Sequence, residues 1–465
     1  MVKDGDCIYL DAGSTTFEMI DFLIGRDVTV VTNGLMHVEE LVSLDLNAYI
    51  LGGKMKAKTK AVIGGIAIAN IENYRFDKAF IGANGIHLKD GYTTPDMEEA
   101  LLKRKAVELA DEAFVIADNS KMHHSHFAKM FDLEEVTLIT DYINVEEKEI
   151  WMKKIDVLEA KKMIYTITLN PSVDYIVELD NLELGELNRM GNSVKLPGGK
   201  GVNVSRILNQ LQSDNCALGF LGGFTGRFIQ DWLAHEGSKS AFTQIADDTR
   251  INIKLKHGVE TEINSMGPNI TPAEIAHFFE SFDVMEAGDI AILSGSIPPS
   301  LGSDFYNRII AKCESLDVEF IIDTTGASLL DTLAREPFLI KPNHHELADL
   351  FEVSFSSVED IIPYGKKCLE LGAKHVIVSM AGDGALLFVG DKVYQSSTPK
   401  GSVKNSVGAG DSMVAGFVGT YEKSNDVLES FRVAVATGSA TAFSTDLATY
   451  DAIQKLIPEV EITEL

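Results

Sequence analysis

The segment Asn405–Phe417, NSVGAGDSMVAGF, holds residue types suited to chemistry at a bound anion. Gly408, Ala409 and Gly410 can present backbone N–H groups at the start of a helix, where unpaired donors and the helix dipole favour negative charge. Asp411 follows at once. A carboxylate beside a bound anion is a poor anion ligand and a good acceptor for a hydroxyl proton. Taken alone, G-A-G-D is equally a glycine-rich turn closed by an aspartate cap.

Five further segments precede it in chain order: Asn170–Asp174 (NPSVD), Gly198–Ser205 (GGKGVNVS), Ser294–Pro299 (SGSIPP), Lys341–Glu346 (KPNHHE) and Ser379–Ala385 (SMAGDGA). Lys200 stands among three glycines, where a lysine has little packing reason to be and a point charge suits phosphate. Arg250, in DDTRINIKL, could hold phosphate bidentately or be an ordinary surface charge. A Walker A motif, G-x-x-x-x-G-K-[ST], is absent, which excludes a P-loop kinase.

From Met163 to about Tyr450 these segments together resemble the PfkB branch of the ribokinase-like sugar kinases. The resemblance implies ATP and Mg²⁺, with transfer of a phosphoryl group to a sugar hydroxyl. It assigns Asp411 as catalytic base and Gly408, Ala409 and Gly410 as the anion hole. Asp174 would hold sugar hydroxyls, with Gly199 and Asn203 completing that wall. Lys200, Arg250 and Arg189 would clamp the phosphate already on the sugar. Asn343 and Glu346 would organise Mg²⁺, partly through water, and Ser379, Gly382 and Gly384 would line the nucleotide.

Within the family, YTITLNPSVD, GGKGVNVS and DDTRINIKL look most like the 1-phosphofructokinases, which phosphorylate carbon 6 of fructose 1-phosphate. Tagatose-6-phosphate kinase and the minor 6-phosphofructokinase share most of these motifs. A non-enzymatic regulator with a relic kinase half is a third reading. Intact Asp411, Gly408, Lys200 and Glu346 speak against it.

The first third carries a second constellation. Asp11–Thr16, DAGSTT, follows the strand CIYL and opens a helix, a place suited to phosphate. TNG, LGG, GANGI, GYTTP and DNSK end further strands. The series resembles the effector-binding domain of DeoR-type sugar regulators, itself similar to ribose-5-phosphate isomerase. By that resemblance Asp11, Gly13, Ser14, Thr15, Thr16, Glu98, Lys103 and Lys121 are candidate sugar-phosphate contacts. Glu98 and Lys103 are equally readable as a helix-surface pair. No basic helical pair precedes the first strand, so the resemblance supports no DNA binding here. His123, His124 and His126 share one loop without a distant Cys or His pair and are not expected to bind metal.

The elements that must position these residues are legible as strand-then-helix alternation, with glycine-rich turns after the strands. That pattern predicts an α/β protein of parallel sheets covered by helices, with ligands beyond the carboxyl ends of the strands. The expected division is a sensor domain of the isomerase-like class over residues 1–160 and a ribokinase-like α/β/α kinase domain over 161–465. Residues 145–162 between them read as a charged helix. IVELD, LNRMGNSVK, INIKLKHG and TEINSMG predict a small antiparallel lid made by two excursions, and its apolar alternation predicts a homodimer.

Composition narrows the classes. Of 465 residues, 45% are hydrophobic and 24% charged, with 41 basic against 69 acidic side chains. The net charge of −28 excludes a general nucleic-acid binder and disfavours anionic membranes. The first 160 residues hold 17 basic and 28 acidic side chains, so the acidity is shared and neither part is a basic arm. Four scattered cysteines read as reduced thiols, and the start lacks a signal-peptide pattern, so a cytoplasmic protein is expected.

Overall fold

The computed structural model describes all residues except 1, 142, 144–149, 160, 161, 259, 325 and 326. The chain divides into two compact units, Met1–Lys161 and Lys162–Leu465. No helix of the described residues is long and apolar enough to cross a membrane.

The first unit is built on a seven-stranded sheet. Its strands run, edge to edge, Val157–Glu159, Thr137–Thr140, Ala110–Ile116, Phe76–Gly82, Cys7–Leu10, Thr29–Thr32 and Asn47–Ile50. Every adjacent pair is parallel. Ile8, Tyr9 and Leu10 are fully buried because the central strand is packed on both faces. The strands on its two sides come from opposite directions in chain order, so a switch point opens at its carboxyl end. Asp11 sits there. The expected helix over 145–162 is corrected in part: Val157–Glu159 is the edge strand, pairing with Thr137–Thr140, while 144–149 lie outside the described residues. An edge strand bears charged neighbours readily, which is why this stretch reads as helix.

The second unit has its own sheet. Asn215–Gly222, Ile164–Thr168, Ile290–Ser294, Glu319–Asp323, Leu339–Ile340 and His375–Ser379 pair in parallel. Ala385–Val389, Lys392–Ser396 and Ile462–Glu464 extend it antiparallel. All five residues of Ile290–Ser294 are buried, between one core under Phe278 and Phe305 and another under Phe417 and Phe431.

The lid is a four-stranded sheet in the order Asn192–Gly198, Ser172–Glu178, Arg250–Lys256, Glu260–Asn264. It corrects the fully antiparallel sheet expected from sequence. The two outer pairs are antiparallel, but the central pair, Ser172–Glu178 with Arg250–Lys256, is parallel. Each excursion is a hairpin, and the strands by which both leave the core lie side by side. Register gives the lid two unlike faces. Asp174, Asn252, Arg250, Lys254 and Glu262 share one, and Tyr175, Ile251, Ile253, Leu255 and Ile263 the other.

Candidate active site

The turn that precedes the helix Ala409–Ser424 depends on Gly408, which adopts the left-handed conformation (φ 79°, ψ −3°). A Cβ there would be strained, and would stand 2.8 Å from Leu447 Cδ2. The left-handed residue turns the chain into the helix; of the positions expected to form an anion hole, Ala409 N already donates to the Ser406 carbonyl at 3.3 Å. At Gly410 a Cβ would lie 3.0 Å from Lys341 Nζ, so the helix start and that ammonium are neighbours. Asp411 comes one residue later and is buried. Its Oδ2 accepts a 2.8 Å hydrogen bond from Asn203 Nδ2.

Asn203 belongs to the helix Lys200–Gln210, capped by Gly199 at φ 117°. A Cβ at Gly199 would meet Thr168 Cγ2 at 2.8 Å. Lys200 thus projects from the first helical position. Its Nζ lies 3.3 Å from Asp323 Oδ2, and Lys341 Nζ lies 3.7 Å from Asp323 Oδ1. Asp323 and Lys341 end adjacent parallel strands, so sheet order alone brings them together.

Their neighbours' charges set the protonation of Asp411, Asp323 and Lys200. Burial pushes the Asp411 carboxyl up, and the like charge of Asp323 adds to it. Lys200, Asn203 and Lys341 oppose, and the balance raises the pKa to about 6. Burial also acts on Asp323, but Lys341 and Lys200 outweigh it and hold that carboxyl below its ordinary value. For Lys200, burial is outweighed by Asp323, Asp411 and Glu346, and the ammonium is held above its ordinary value. Two acids thus part company: one fixed as an anion, one poised to take a proton near neutrality.

A cavity of about 390 Å³ opens beside Asp411. Of the residues nominated from sequence, Asp174, Gly199, Lys200, Asn203, Arg250, Gly408 and Asp411 line it. Asp174 Oδ1 accepts from the Ser172 hydroxyl (2.7 Å) and, at 3.4 Å, from Asn252 Nδ2, which leaves Oδ2 facing Lys254 at 3.5 Å. The wall also carries buried polar atoms without a hydrogen-bond partner: Thr168 Oγ1, Asn170 Oδ1, Asn252 Oδ1 and Ser294 Oγ. Unsatisfied groups at this density are costly unless a ligand meets them, and a polyhydroxy ligand can. Arg250 donates to the Asn170 and Ser265 carbonyls (3.1 and 2.9 Å). It has no carboxylate partner among the described residues, and burial pulls its pKa down despite Asp174. A desolvated guanidinium with donors to spare is a site for an anion.

Other nominated residues lie elsewhere. Arg189 is exposed in the loop 179–191, without a partner among the described residues, and does not line the cavity. The loop ends where the lid strand starts, at Asn192, so within one chain Arg189 stands apart from the other residues expected to clamp the phosphate. Asn343 and Glu346 form a reciprocal cap, Asn343 Oδ1 accepting from Glu346 N and Glu346 Oε2 from Asn343 N (2.9 and 2.8 Å). The second Glu346 oxygen has no hydrogen-bond partner among the described residues. Ser379 pairs with Asn343 in an isolated bridge. Gly382 is open to space, and Gly384 packs on the Ser396 carbonyl.

Asp323, Lys341, Asn252 and Lys254 escaped the sequence reading. The signals were present: an acid closing the apolar run EFIID, a lysine opening KPN, and the alternation R-I-N-I-K, which puts Arg250, Asn252 and Lys254 on one strand face.

In the first unit, Asp11 is wholly buried. Its Oδ2 accepts from Lys103 Nζ (2.8 Å) and Gly82 N (3.0 Å), while Oδ1 has no partner. Lys103 is therefore not part of a helix-surface pair with Glu98, which is instead bound to Lys54 at 2.9 Å. Gly13, Ser14 and Thr15 form the turn into the four-residue helix Ser14–Phe17, and Ser14 and Thr15 are exposed. The Thr16 hydroxyl turns inward to the Asp11 carbonyl (2.5 Å) and lies 3.3 Å from His37 Nε2, so it braces the turn. Lys121 sits on a short 3₁₀ turn after Ala110–Ile116 and lies 3.4 Å from Asp118.

Arg250→Ala is expected to weaken binding of a phosphorylated sugar at this cavity by about 1.5–3 kcal/mol, roughly ten- to 150-fold, by loss of a charge-assisted contact. Titration calorimetry of the full chain checks it; a change under threefold contradicts the assignment.

The model of the pfkB family of carbohydrate kinases matches residues 167–452, and that of the DeoR C terminal sensor domain matches residues 1–142. The chain is 51% identical over 303 residues to the 1-phosphofructokinase of Bacillus subtilis, which spans 65% of this chain and 100% of that protein. It is 41% identical over 305 residues to the 1-phosphofructokinase of Borreliella burgdorferi, at 65% and 99%. Among solved structures, Escherichia coli phosphofructokinase-2 in complex with fructose-6-phosphate aligns with a TM-score of 0.60 at 29% identity, over 64% of this chain and 99% of that one. With the geometry of the Asp411 cavity, these matches make the chain a member of the pfkB family of carbohydrate kinases, fused behind a DeoR-type sensor domain.

Proposed function

We propose that the kinase unit transfers the γ-phosphoryl group of ATP to the carbon-6 hydroxyl of fructose 1-phosphate, giving fructose 1,6-bisphosphate and ADP. The observation that carries this reading is the pairing, in one cavity, of a carboxyl raised to about 6 with a half-buried guanidinium that has no carboxylate hydrogen-bonded to it among the described residues. The resident phosphate of the sugar meets Arg250. The sugar hydroxyls meet Asp174 Oδ2 and the unpartnered oxygens of Asn170 and Asn252. The acceptor hydroxyl gives its proton to Asp411 as its oxygen bonds to the γ-phosphorus, and the bond from that phosphorus to the bridging oxygen of ADP breaks. Lys200, expected from sequence to clamp the sugar's own phosphate, lies beside Asp323 and Asp411 and is assigned here, with the N–H groups following Gly408, to charge on the group in transit; such positioning and electrostatics supply most of the catalysis in phosphoryl transfer.

The family implies Mg²⁺ with ATP. Glu346, with one carboxylate oxygen spent on its cap and one open, fits a hydrated ion, with Asn343 bracing it; the ion would neutralise nucleotide phosphates. A coupled ADP-release assay with fructose 1-phosphate, fructose 6-phosphate and tagatose 6-phosphate side by side is expected to give the highest kcat/KM with fructose 1-phosphate. A preference for either 6-phosphate contradicts the substrate assignment and favours the related kinases instead.

Asp411→Asn is expected to lose about 10²–10⁴-fold in kcat while still binding both substrates. The raised pKa fixes the sign of the pH dependence. Below about 6 the carboxyl holds its proton and cannot accept another, so kcat/KM climbs through an acid limb near 6 and levels above it. A limb near pH 4, or a variant within a few-fold of wild type, contradicts the base assignment.

The outer lid face exposes Ile251 and Ile263 beside Ile253 and Leu255. We propose that a second copy of the chain covers it. Light scattering at micromolar concentration is expected to give twice the chain mass, and Ile263→Glu to reduce it; a monomeric wild type contradicts the dimer.

The sensor unit is proposed to bind a phosphorylated sugar, with fructose 1-phosphate the first candidate, at the unpartnered Asp11 oxygen beside Lys103. Calorimetry of the full chain is expected to resolve two sites, one of them removed by Asp11→Asn. A single site indifferent to Asp11→Asn contradicts this.

A further inference from the structure

A closed ring of contacts surrounds the catalytic base, and one member has no role in the reading so far. Arg206 lies one helical turn beyond Asn203 on the helix Lys200–Gln210, and its side chain is 7% exposed. Its guanidinium grips two carboxylates. Toward Glu236, Nε and one terminal nitrogen donate at 2.9 and 2.8 Å. Toward Asp446, the two terminal nitrogens donate at 3.3 and 2.7 Å. Glu236 is further fixed by Trp232 Nε1 at 2.8 Å.

Asp446 belongs to the segment 441–448, which braces the anion-binding turn along its length. Ala442 O accepts from Lys404 N and Asn405 N (2.8 and 3.2 Å), and the Thr441 and Ser412 hydroxyls lie 2.8 Å apart. Leu447, next to Asp446, is the residue that a Cβ at Gly408 would strike. The ring therefore runs Asp411, Asn203, Arg206, Asp446, Leu447, Gly408 and back to Asp411. It joins the helix Lys200–Gln210, whose Asn203 holds the carboxyl of the base, to the turn that carries Gly408 and Asp411.

We infer that Arg206 is a positioning residue for phosphoryl transfer: by clamping Asp446 it sets the spacing between the helix that carries Asn203 and the Gly408–Asp411 helix start, and so the aim of the Asp411 carboxyl. A guanidinium between two carboxylates is costly to desolvate and adds little net stability, so its contribution is geometric. Lysine cannot replace it, because an ammonium cannot hold two carboxylates bidentately. A displacement of about 1 Å between base and phosphoryl site is enough to cost on the order of 10²-fold in rate.

The inference rests on the kinase reading above, and its test separates the two. Arg206→Lys, Asp446→Asn and Glu236→Gln are made in the full chain and assayed with ATP and the phosphosugar that wild type turns over best. Arg206→Lys and Asp446→Asn are expected to lower kcat about ten- to 100-fold, with both KM values within about threefold. Glu236→Gln, which leaves the Asp446 clamp in place, is expected to lower the melting temperature and keep kcat near wild type. Amide hydrogen exchange over 404–412 is expected to accelerate in Asp446→Asn. Asp446 is partly exposed, so this variant decides if Arg206→Lys fails to fold. An Asp446→Asn enzyme with wild-type kcat overturns the inference, and so does a uniform fall in stability with unchanged kcat in all three variants. If wild type phosphorylates no phosphosugar, the kinase reading fails; unchanged exchange over 404–412 then overturns the clamp on its own.

Discussion

The kinase unit is organised around two carboxylates and two ammoniums where the central strands end, with Asp323, Asp411 and Lys341 buried and Lys200 partly exposed. Asp323 lies 3.3 Å from Lys200 and 3.7 Å from Lys341, and Asp411 stands within the field of all three. Charges this far out of water cannot stand singly; each must be compensated by its neighbours. That requirement constrains the sheet order, which sets Asp323 beside Lys341, and the two helix starts, which deliver Lys200 and Asp411. It also explains the glycines at 199 and 408, since both helix starts must approach closely enough for the charges to meet. With Asp323 held as the permanent anion, Asp411 carries the exchangeable proton.

The sugar wall follows a different logic. The lid presents alternate residues to the cavity, so a single strand supplies Arg250, Asn252 and Lys254, while the residues between them form an apolar outer face. One period-2 pattern thus separates ligand recognition from a surface left for association. The sensor unit repeats the first theme in reduced form: a buried acid, Asp11, at the end of a central strand, neutralised by Lys103 but with one oxygen unpaired.

Much of this was legible in the sequence because local rules and the global fold agree. The alternation of strands and glycine-rich turns revealed two parallel-sheet units. The GAGD and GGKG segments marked two helix starts whose residues the structure does bring to one cavity, Gly199, Lys200, Asn203, Gly408 and Asp411 among them. What failed depends on long-range neighbours. Asp323 and Lys341 belong to separate strands, and only sheet order makes them a pair. Lys103 reads equally as a contact in the Asp11 set and as a partner for Glu98 on its own helix, and only the fold decides: it reaches Asp11, 92 positions away in the chain. The parallel pairing at the lid centre was hidden for the same reason, since hairpin composition does not say how two hairpins dock.

Burial, with Asp323 beside it as the fixed anion, keeps Asp411 poised near neutrality. Site-resolved titration of the Asp411 carboxyl carbon by NMR tests it most directly. A midpoint near 6 in the wild type, falling when Asp323→Asn removes the like charge, is the predicted result. A midpoint in the ordinary carboxylate range of about 4, or one that Asp323→Asn leaves unmoved, would contradict the account.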